Sequence, residues 1–199
     1  MYGGAHGLTV SCLLSTQKHL MQKGHTVITD IVTDGSILTK VRNGIVKRFI
    51  DSKADVLLFV DSDMMWQPED IEKIINAPFD VSVINYRSKN NAVKWLAVEK
   101  GEELDGWQNV TRAGTGLMAI KRQIIDKMIP LYGQYWDRGE LTPCLFDFEH
   151  IGDQYHGEDY TFCKRVIESG GKIMMLCDAY TGHIGTTVYG GNYKEFLRV

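Results

Sequence analysis

The fold is decided by residues 54–75, which read ADVLLFVDSDMMWQPEDIEKII. Residues 56–60 are apolar without polar alternation, a pattern that is typical of a strand covered on both faces in a parallel sheet. Pro68 suits the first position of a helix, so the stretch predicts a strand followed closely by a helix. Asp61 and Asp63 lie between the two elements. Because ligands of open α/β sheets bind beyond the carboxyl ends of strands, these carboxylates stand where a ligand site is expected.

The composition is that of an ordinary globular protein. A chain of 199 residues fits the size of one domain, so residues 1–199 are predicted to form a single domain. The net charge of -3 disfavours binding to nucleic acid by bulk electrostatics, so nucleic acid is an unlikely partner. The cysteines are widely spaced, and no apolar run approaches the roughly 20 residues of a transmembrane segment. We therefore expect reduced thiols and a soluble, cytoplasmic protein.

Helix and strand patterns alternate along the chain. Residues 8–21 predict a helix that stops at Gly24, residues 26–32 predict a strand, and residues 37–50 predict a helix with Ser36 as its N-cap. Further strands are predicted at residues 80–86, 94–99 and 172–177, and further helices at residues 122–128 and 157–169. Residues 132–155 show little periodicity and many aromatic side chains, which predicts a long functional loop. The alternating order predicts an α/β protein, a three-layer α/β/α sandwich with a mainly parallel central sheet.

The spacing of Asp61 and Asp63 suits a divalent cation. In an extended segment, residues two apart point to the same side, and Mg²⁺ and Mn²⁺ favour carboxylate oxygens and share their coordination sphere with substrate phosphates. His183 follows the last strand and could add an imidazole ligand, which suits Mn²⁺ better than Mg²⁺. The alternative is structural: an Asp-Ser-Asp turn can be held by its own Asx hydrogen bonds, and a lone histidine is often simply hydrogen-bonded.

A second acidic pair, Glu158 and Asp159, falls at a predicted helix N-terminus. The helix dipole stabilises a carboxylate there and is expected to hold its pKa low. Ordinary capping is an equal explanation for Glu158. Asp159, when ionised, could accept a proton from an attacking hydroxyl as a general base.

The order of these motifs resembles that of the GT-A glycosyltransferases, metal-dependent enzymes that move a sugar from a nucleotide-sugar donor to an acceptor. The similar motifs are, in chain order, Tyr2-Gly3-Gly4, Arg42-Asn43, Asp61-Ser62-Asp63, Gly114-Thr115-Gly116, Gly157-Glu158-Asp159-Tyr160 and Gly182-His183. Together they span nearly the whole chain. The resemblance implies a central sheet of the GT-A type and a UDP- or GDP-sugar as the donor.

The resemblance also implies roles for individual residues. A Mn²⁺ or Mg²⁺ ion would be held by Asp61, Asp63 and His183, and Asp159 with Glu158 would form the catalytic pair. The residues implied in donor or nucleotide binding are Tyr2, Gly3, Arg42, Asp61, Lys89, Gly114 and Gly116. The acceptor would pack against aromatic side chains of the 132–155 segment, namely Tyr135, Trp136 and Phe148. For Arg42 and Lys89 an ordinary surface role is an equal alternative, and for the aromatic residues so is core packing.

One departure from the family concerns its first strand, which precedes the Tyr-Gly residues. Here Met1 stands directly before Tyr2, so either the sheet lacks that strand or this chain begins late relative to the family. Two other functions stay open: a nucleotidyltransferase that makes activated sugars, although no early glycine-rich basic loop is present, and a non-catalytic nucleotide-sugar binding module. The residues do not separate inversion from retention of configuration.

Overall fold

The first half of the chain supplies three helices and the first strands. The computed structural model describes residues 4–33, 35–90 and 92–197, and for residues 99–102 the backbone only. The elements are α1 (Gly7–Gln22), α2 (Leu38–Ser52), β1 (Val56–Val60), β2 (Met64–Met65), α3 (Pro68–Asn76) and β3 (Val81–Ile84). These bounds confirm the predicted helices and place Pro68 at the start of α3. The N-cap of α2 is Ile37, which makes no side-chain capping bond, so the prediction of Ser36 was wrong.

The second half of the chain consists mainly of short strands. Its elements are β4 (Val98–Leu104), β5 (Trp107–Arg112), β6 (Leu117–Lys121), α4 (Arg122–Tyr132), β7 (Gln134–Asp137), β8 (Glu140–Pro143), β9 (Glu149–Ile151), β10 (Gln154–His156), α5 (Glu158–Glu168), β11 (Ile173–Leu176), β12 (Tyr180–Ile184), β13 (Val188–Asn192) and α6 (Tyr193–Phe196). The expected long loop is instead two hairpins, β7–β8 and β9–β10. Arg138 and Gly139 supply the two positive φ angles of a tight hairpin turn, 50° and 84°.

The central sheet is mixed and mostly antiparallel, in the order β1-β6-β3-β11-β5-β4. Its one parallel pairing joins β11 to β3, and the other pairings are antiparallel. The predicted three-layer α/β/α sandwich with a mainly parallel sheet of the GT-A type is therefore wrong. Parallel neighbours need a long crossover, usually a helix, and the chain from β4 through β6 returns by short connections instead. The described residues also form three smaller antiparallel sheets: β13-β12-β2, β10-β9 and β7-β8.

The predicted strand at residues 26–32 is also wrong. The segment carries no ladder, and Ile28 and Ile31 are 65% and 69% exposed. Within the described residues, the edge strand β1 pairs only with β6, so no ladder reaches this segment. The described residues ahead of α1 form no strand, while Tyr2 and Gly3, both predicted donor-site residues, lie outside the described part of the chain.

Both faces of the central sheet carry apolar side chains because its strands alternate. Strand β6 sends Met118 and Ile120 into one cluster, which α2, α4 and α5 cover with residues such as Phe49, Ile124 and Phe162. On the opposite face, Leu117 and Ala119 join a second cluster that α1 and α3 cover. Within the described residues, no helix is both long enough and apolar enough to cross a membrane.

The pairing of β6 decides where a site can form. Val60, at the end of β1, pairs with Leu117, at the start of β6, and the amide of Asp61 donates to the carbonyl of Gly116 at 3.1 Å. The end of β3 reaches the same edge, since Val83 pairs with Met118. The residues after β1, after β3 and before β6 therefore lie together at one edge of the sheet.

Candidate functional site

Asp63 and His183 are brought together by the small β13-β12-β2 sheet. Met64 in β2 pairs with His183 in β12, and the amide of Ile184 donates to the carbonyl of Asp63 at 2.7 Å. As a result, Nε2 of His183 lies 3.6 Å from Oδ1 of Asp63. This local pairing fixes the two predicted metal ligands side by side.

The tautomer of His183 is set by its other ring nitrogen. Nδ1 lies 2.8 Å from the carbonyl oxygen of Arg87, and a carbonyl can only accept, so Nδ1 carries the hydrogen. Nε2 therefore faces Asp63, where a protonated ring donates to the carboxylate and a neutral ring offers its lone pair to a cation that the two residues share. A histidine held in this way through its second nitrogen is the usual arrangement of a metal ligand.

Lys89 makes a second contact with Asp63, because its ammonium donates to Oδ2. Burial acts to raise the pKa of Asp63, but the hydrogen bonds from His183 and Lys89 outweigh it and lower the pKa to about 2. Asp63 is therefore ionised at neutral pH. The predicted donor-site residue Lys89, which extends from the loop after β3, lies within this cluster and is not isolated at the surface.

Arg42 links two more carboxylates of the predicted site. It is only 6% exposed on α2, donates from one terminal nitrogen to Glu158, and holds the other 3.9 Å from Oδ1 of Asp61. Within the described residues, the Glu158 side chain bonds to Arg42 and makes no hydrogen bond to the backbone of α5, whose N-cap is Gly157. Arg42 and Glu158 thus form a buried ion pair beside Asp61, an arrangement that favours neither the surface alternative for Arg42 nor the capping alternative for Glu158.

Asp61 and Asp159 are the carboxylates whose pKa values rise. Burial is the main cause for Asp61, partly offset by Arg42 and reinforced by Asp63. For Asp159, burial again raises the pKa and Glu158 adds to it. The expectation that the helix dipole would hold the pKa of Asp159 low was therefore wrong, because loss of solvent outweighs the dipole at this helix end. A raised pKa makes Asp159 a stronger base once it is ionised.

Tyr86 is a site residue that the sequence did not reveal. It follows β3, is 5% exposed, and accepts a hydrogen bond at 3.1 Å from the amide of Gly116. Its ring meets that of His183 edge to face, with centroids 5.2 Å apart. Burial and the charges of Asp61 and Asp159 raise its pKa. Its place at the end of a predicted strand was the one available signal.

The two predicted donor-site glycines, Gly114 and Gly116, lie against Tyr86. A Cβ at Gly114 would stand 2.2 Å from the Tyr86 hydroxyl oxygen, and one at Gly116 would stand 2.7 Å from its Cζ. No residue larger than glycine fits at either position without displacing Tyr86. The glycines therefore allow a buried tyrosine to reach the carboxylates.

The predicted acceptor residues divide between the two hairpins. Tyr135 and Trp136 lie on β7, and the 74% exposed Trp136 makes no ring contact within the described residues. Phe148, 44% exposed, stacks on Tyr155 with centroids 5.6 Å apart, and forms an aromatic surface on the β9–β10 hairpin just before α5. Among the described residues, no hydrogen bond or ring contact joins these aromatic side chains to the carboxylate cluster.

The donor set has the chemistry of a divalent cation site, but its geometry is incomplete. Among the described residues, no group of three or more His, Cys, Asp and Glu side chains is arranged to hold an ion. Asp63 and His183 form a pair that could share one ion, whereas Asp61 faces Arg42. The ligand set Asp61, Asp63 and His183 stays a prediction.

Comparisons with known proteins inform the fold alone. No protein-family model matches the chain, and no curated protein matches it significantly. The crystal structure of A197 from STIV is similar in fold, with a TM-score of 0.59 and 19% sequence identity, and the match covers 92% of this chain and 81% of that one. The chain therefore shares its mixed α/β architecture with A197.

Proposed function

We propose that this protein transfers a sugar from a nucleotide-diphosphate-sugar donor to an acceptor hydroxyl in a reaction that requires Mn²⁺ or Mg²⁺. The observation that carries the proposal is the alternation of acidic and basic groups at one sheet edge. Asp63 lies between Lys89 and His183, and Arg42 lies between Asp61 and Glu158. Chemistry on a diphosphate needs basic groups for the phosphate oxygens and carboxylates for the cation that neutralises them.

The charge balance of the cluster favours a bound cation. The four carboxylates Asp61, Asp63, Glu158 and Asp159 lie with two permanent side-chain cations, Arg42 and Lys89. Burial and the neighbouring carboxylates raise the pKa values of Asp61 and Asp159, and a bound cation would favour the ionised forms of both. A donor diphosphate would bring further negative charge to a cluster that already has more carboxylates than cations. Asp63 and His183, with Asp61 beside them, are the residues that would hold the ion, which when bound neutralises the leaving diphosphate.

The chain's own side chains supply the remaining chemistry. The bond between the sugar C1 and the diphosphate oxygen breaks, the acceptor oxygen bonds to C1, and Asp159 takes the acceptor proton if configuration is inverted. Arg42 and Lys89 contact the diphosphate as charge builds on it. If configuration is retained, Asp159 orients the acceptor instead.

The proposal extends to the acceptor surface and to the cellular setting. The stacked pair Phe148 and Tyr155 offers an exposed aromatic face on the hairpin that leads into α5, and a sugar ring can stack on such a face. The free thiols fit a reducing compartment, so we propose a soluble enzyme of the cytoplasm.

The test is release of nucleoside diphosphate from a panel of UDP- and GDP-sugars with Mn²⁺. We expect turnover that is abolished by EDTA and reduced at least about a hundredfold in Asp63→Asn, because metal stabilisation of a leaving group is worth several kcal/mol. Asp126→Asn, an exposed change on α4, is the matched control and should leave turnover unchanged. Turnover that survives both EDTA and Asp63→Asn would refute the role of the cation, and no release from any donor would refute sugar transfer.

A further inference from the structure

A cavity beside α5, lined by residues outside the carboxylate cluster, has the features of a second binding site. It has a volume of about 230 Å³ and lies between α5, the end of β5 and the β9–β10 hairpin. We propose that it binds a sugar acid, a hydroxylated ring that carries one carboxylate. The proposal concerns binding only and does not depend on the proposed sugar transfer.

The cavity is separate from the carboxylate cluster, although the two share α5. Successive helical residues rotate by about 100°, so Tyr160, Thr161 and Lys164 point to a different face from Asp159. Those three residues line the cavity, whereas Asp159 does not. A ligand here would lie against the face of α5 that carries Tyr160, Thr161 and Lys164.

Arg112 provides the anion-binding group. It is the last residue of β5, and its guanidinium lies 5.4 Å from the centre of the Tyr160 ring. The Tyr160 hydroxyl donates to the carbonyl of Leu96 at 3.1 Å, which fixes that ring. No ion pair or hydrogen bond in the described part of the chain uses the Arg112 side chain. A planar guanidinium with free donors matches a carboxylate in a bidentate arrangement.

Thr161 gives independent support for ligand binding in this cavity. The residue is 1% exposed and lines the cavity, yet its hydroxyl has no hydrogen-bond partner among the described residues. A buried hydroxyl without a hydrogen-bond partner is unfavourable, so native proteins normally provide it with one. A ligand oxygen in the cavity would be such a partner.

The remaining charged residues explain why the ligand carries a single charge and hydroxyl groups. Lys164 lies 2.8 Å from Glu149 and 3.6 Å from Glu168, so one ammonium is shared by two carboxylates. Those carboxylates would repel a phosphate dianion but accept hydrogen bonds from sugar hydroxyls. His156, which pairs across the hairpin with Glu149, adds a further polar contact.

The proposal is tested by calorimetric titration of the full chain with glucuronate, and with glucose, acetate and glucose 6-phosphate as comparison probes. We expect saturable binding of glucuronate that is at least about tenfold tighter than that of each comparison probe, because the pair between its carboxylate and Arg112 is charge-assisted. Arg112→Met should weaken glucuronate binding about tenfold or more, and the isosteric Thr161→Val should weaken it severalfold. Lys127→Met, which removes an exposed charge from α4, should bind as the unchanged protein does.

Three outcomes would overturn the proposal: no binding of glucuronate, equal binding of glucose and glucuronate, or unchanged binding in Arg112→Met. Urea unfolding of each variant shows whether it is folded. If Arg112→Met does not fold, Arg112→Lys keeps the charge but loses the bidentate fork, and it must still weaken binding for the proposal to stand.

Discussion

Steric fit between Tyr86 and Gly114 gives the sharpest prediction about the site. A Cβ at Gly114 would stand 2.2 Å from the Tyr86 hydroxyl oxygen and 3.0 Å from Cζ, and Tyr86 is 5% exposed, so it has little room to move. Overpacking of this kind costs about 1–3 kcal/mol, which is the loss of stability expected for Gly114→Ala. Tyr86→Phe removes the hydroxyl and leaves the amide of Gly116 without its partner, which costs about 1–3 kcal/mol.

The double variant separates the two effects. Once the hydroxyl is gone, the 2.2 Å contact no longer exists, so Gly114→Ala should cost less in the Tyr86→Phe background. We expect the losses to fall short of additivity by at least about 1 kcal/mol, since residues in direct contact couple by about 0.5–3 kcal/mol.

Urea unfolding of the four proteins, followed by circular dichroism and tryptophan fluorescence, measures this coupling. Gly7→Ala is the control, because an added Cβ there has no atom within 4 Å and should not destabilise the protein. Strict additivity, or a Gly114→Ala variant as stable as the unchanged protein, would show that Tyr86 does not occupy the space above the glycines.

Two further predictions concern stability. Asp63→Asn should lower stability at pH 7 by about 1–2 kcal/mol, a value reduced for solvent screening because the Asp63 side chain is 33% exposed. Its pKa falls from 3.8 to about 2 on folding, so the contribution is complete above about pH 4 and is lost as the pH falls toward about 2. Urea unfolding with EDTA from pH 7 to pH 3 should therefore show the difference shrinking, and a constant difference would contradict the ion-pair assignment. Asn43→Ala should destabilise the protein by about 2–4 kcal/mol, because the Asn43 amide makes three buried bonds to the backbone of residues 145–146. The exposed Asn76→Ala should change stability by less than about 0.5 kcal/mol in the same unfolding assay, and equal losses in the two variants would contradict that role.

Local signals in the sequence predicted where helices and strands lie better than they predicted which strands pair. Pro68 marks the start of α3, and Gly170, with a φ of 78°, ends α5, because each residue has a conformational preference of its own. The run at residues 56–60 does form β1, but an apolar run does not specify which strand lies beside it, and β1 proves to be an antiparallel edge strand. The strand pattern at residues 26–32 failed for the same reason, since a strand needs a partner that local sequence does not encode.

The position of Asp61 was predictable even though the sheet was not. The expectation required only that several strand boundaries meet at one edge, and parallel pairing is one way to achieve this. Here β6 runs antiparallel to β1 and β3, so its beginning lies beside their ends, and Gly116 reaches the same edge as Asp61 and Tyr86. A mostly antiparallel sheet can therefore gather the same side chains as a parallel one, provided that the intervening strand starts where its neighbours stop. A site at strand ends can therefore be predicted from the sequence even where the pairing of the strands cannot.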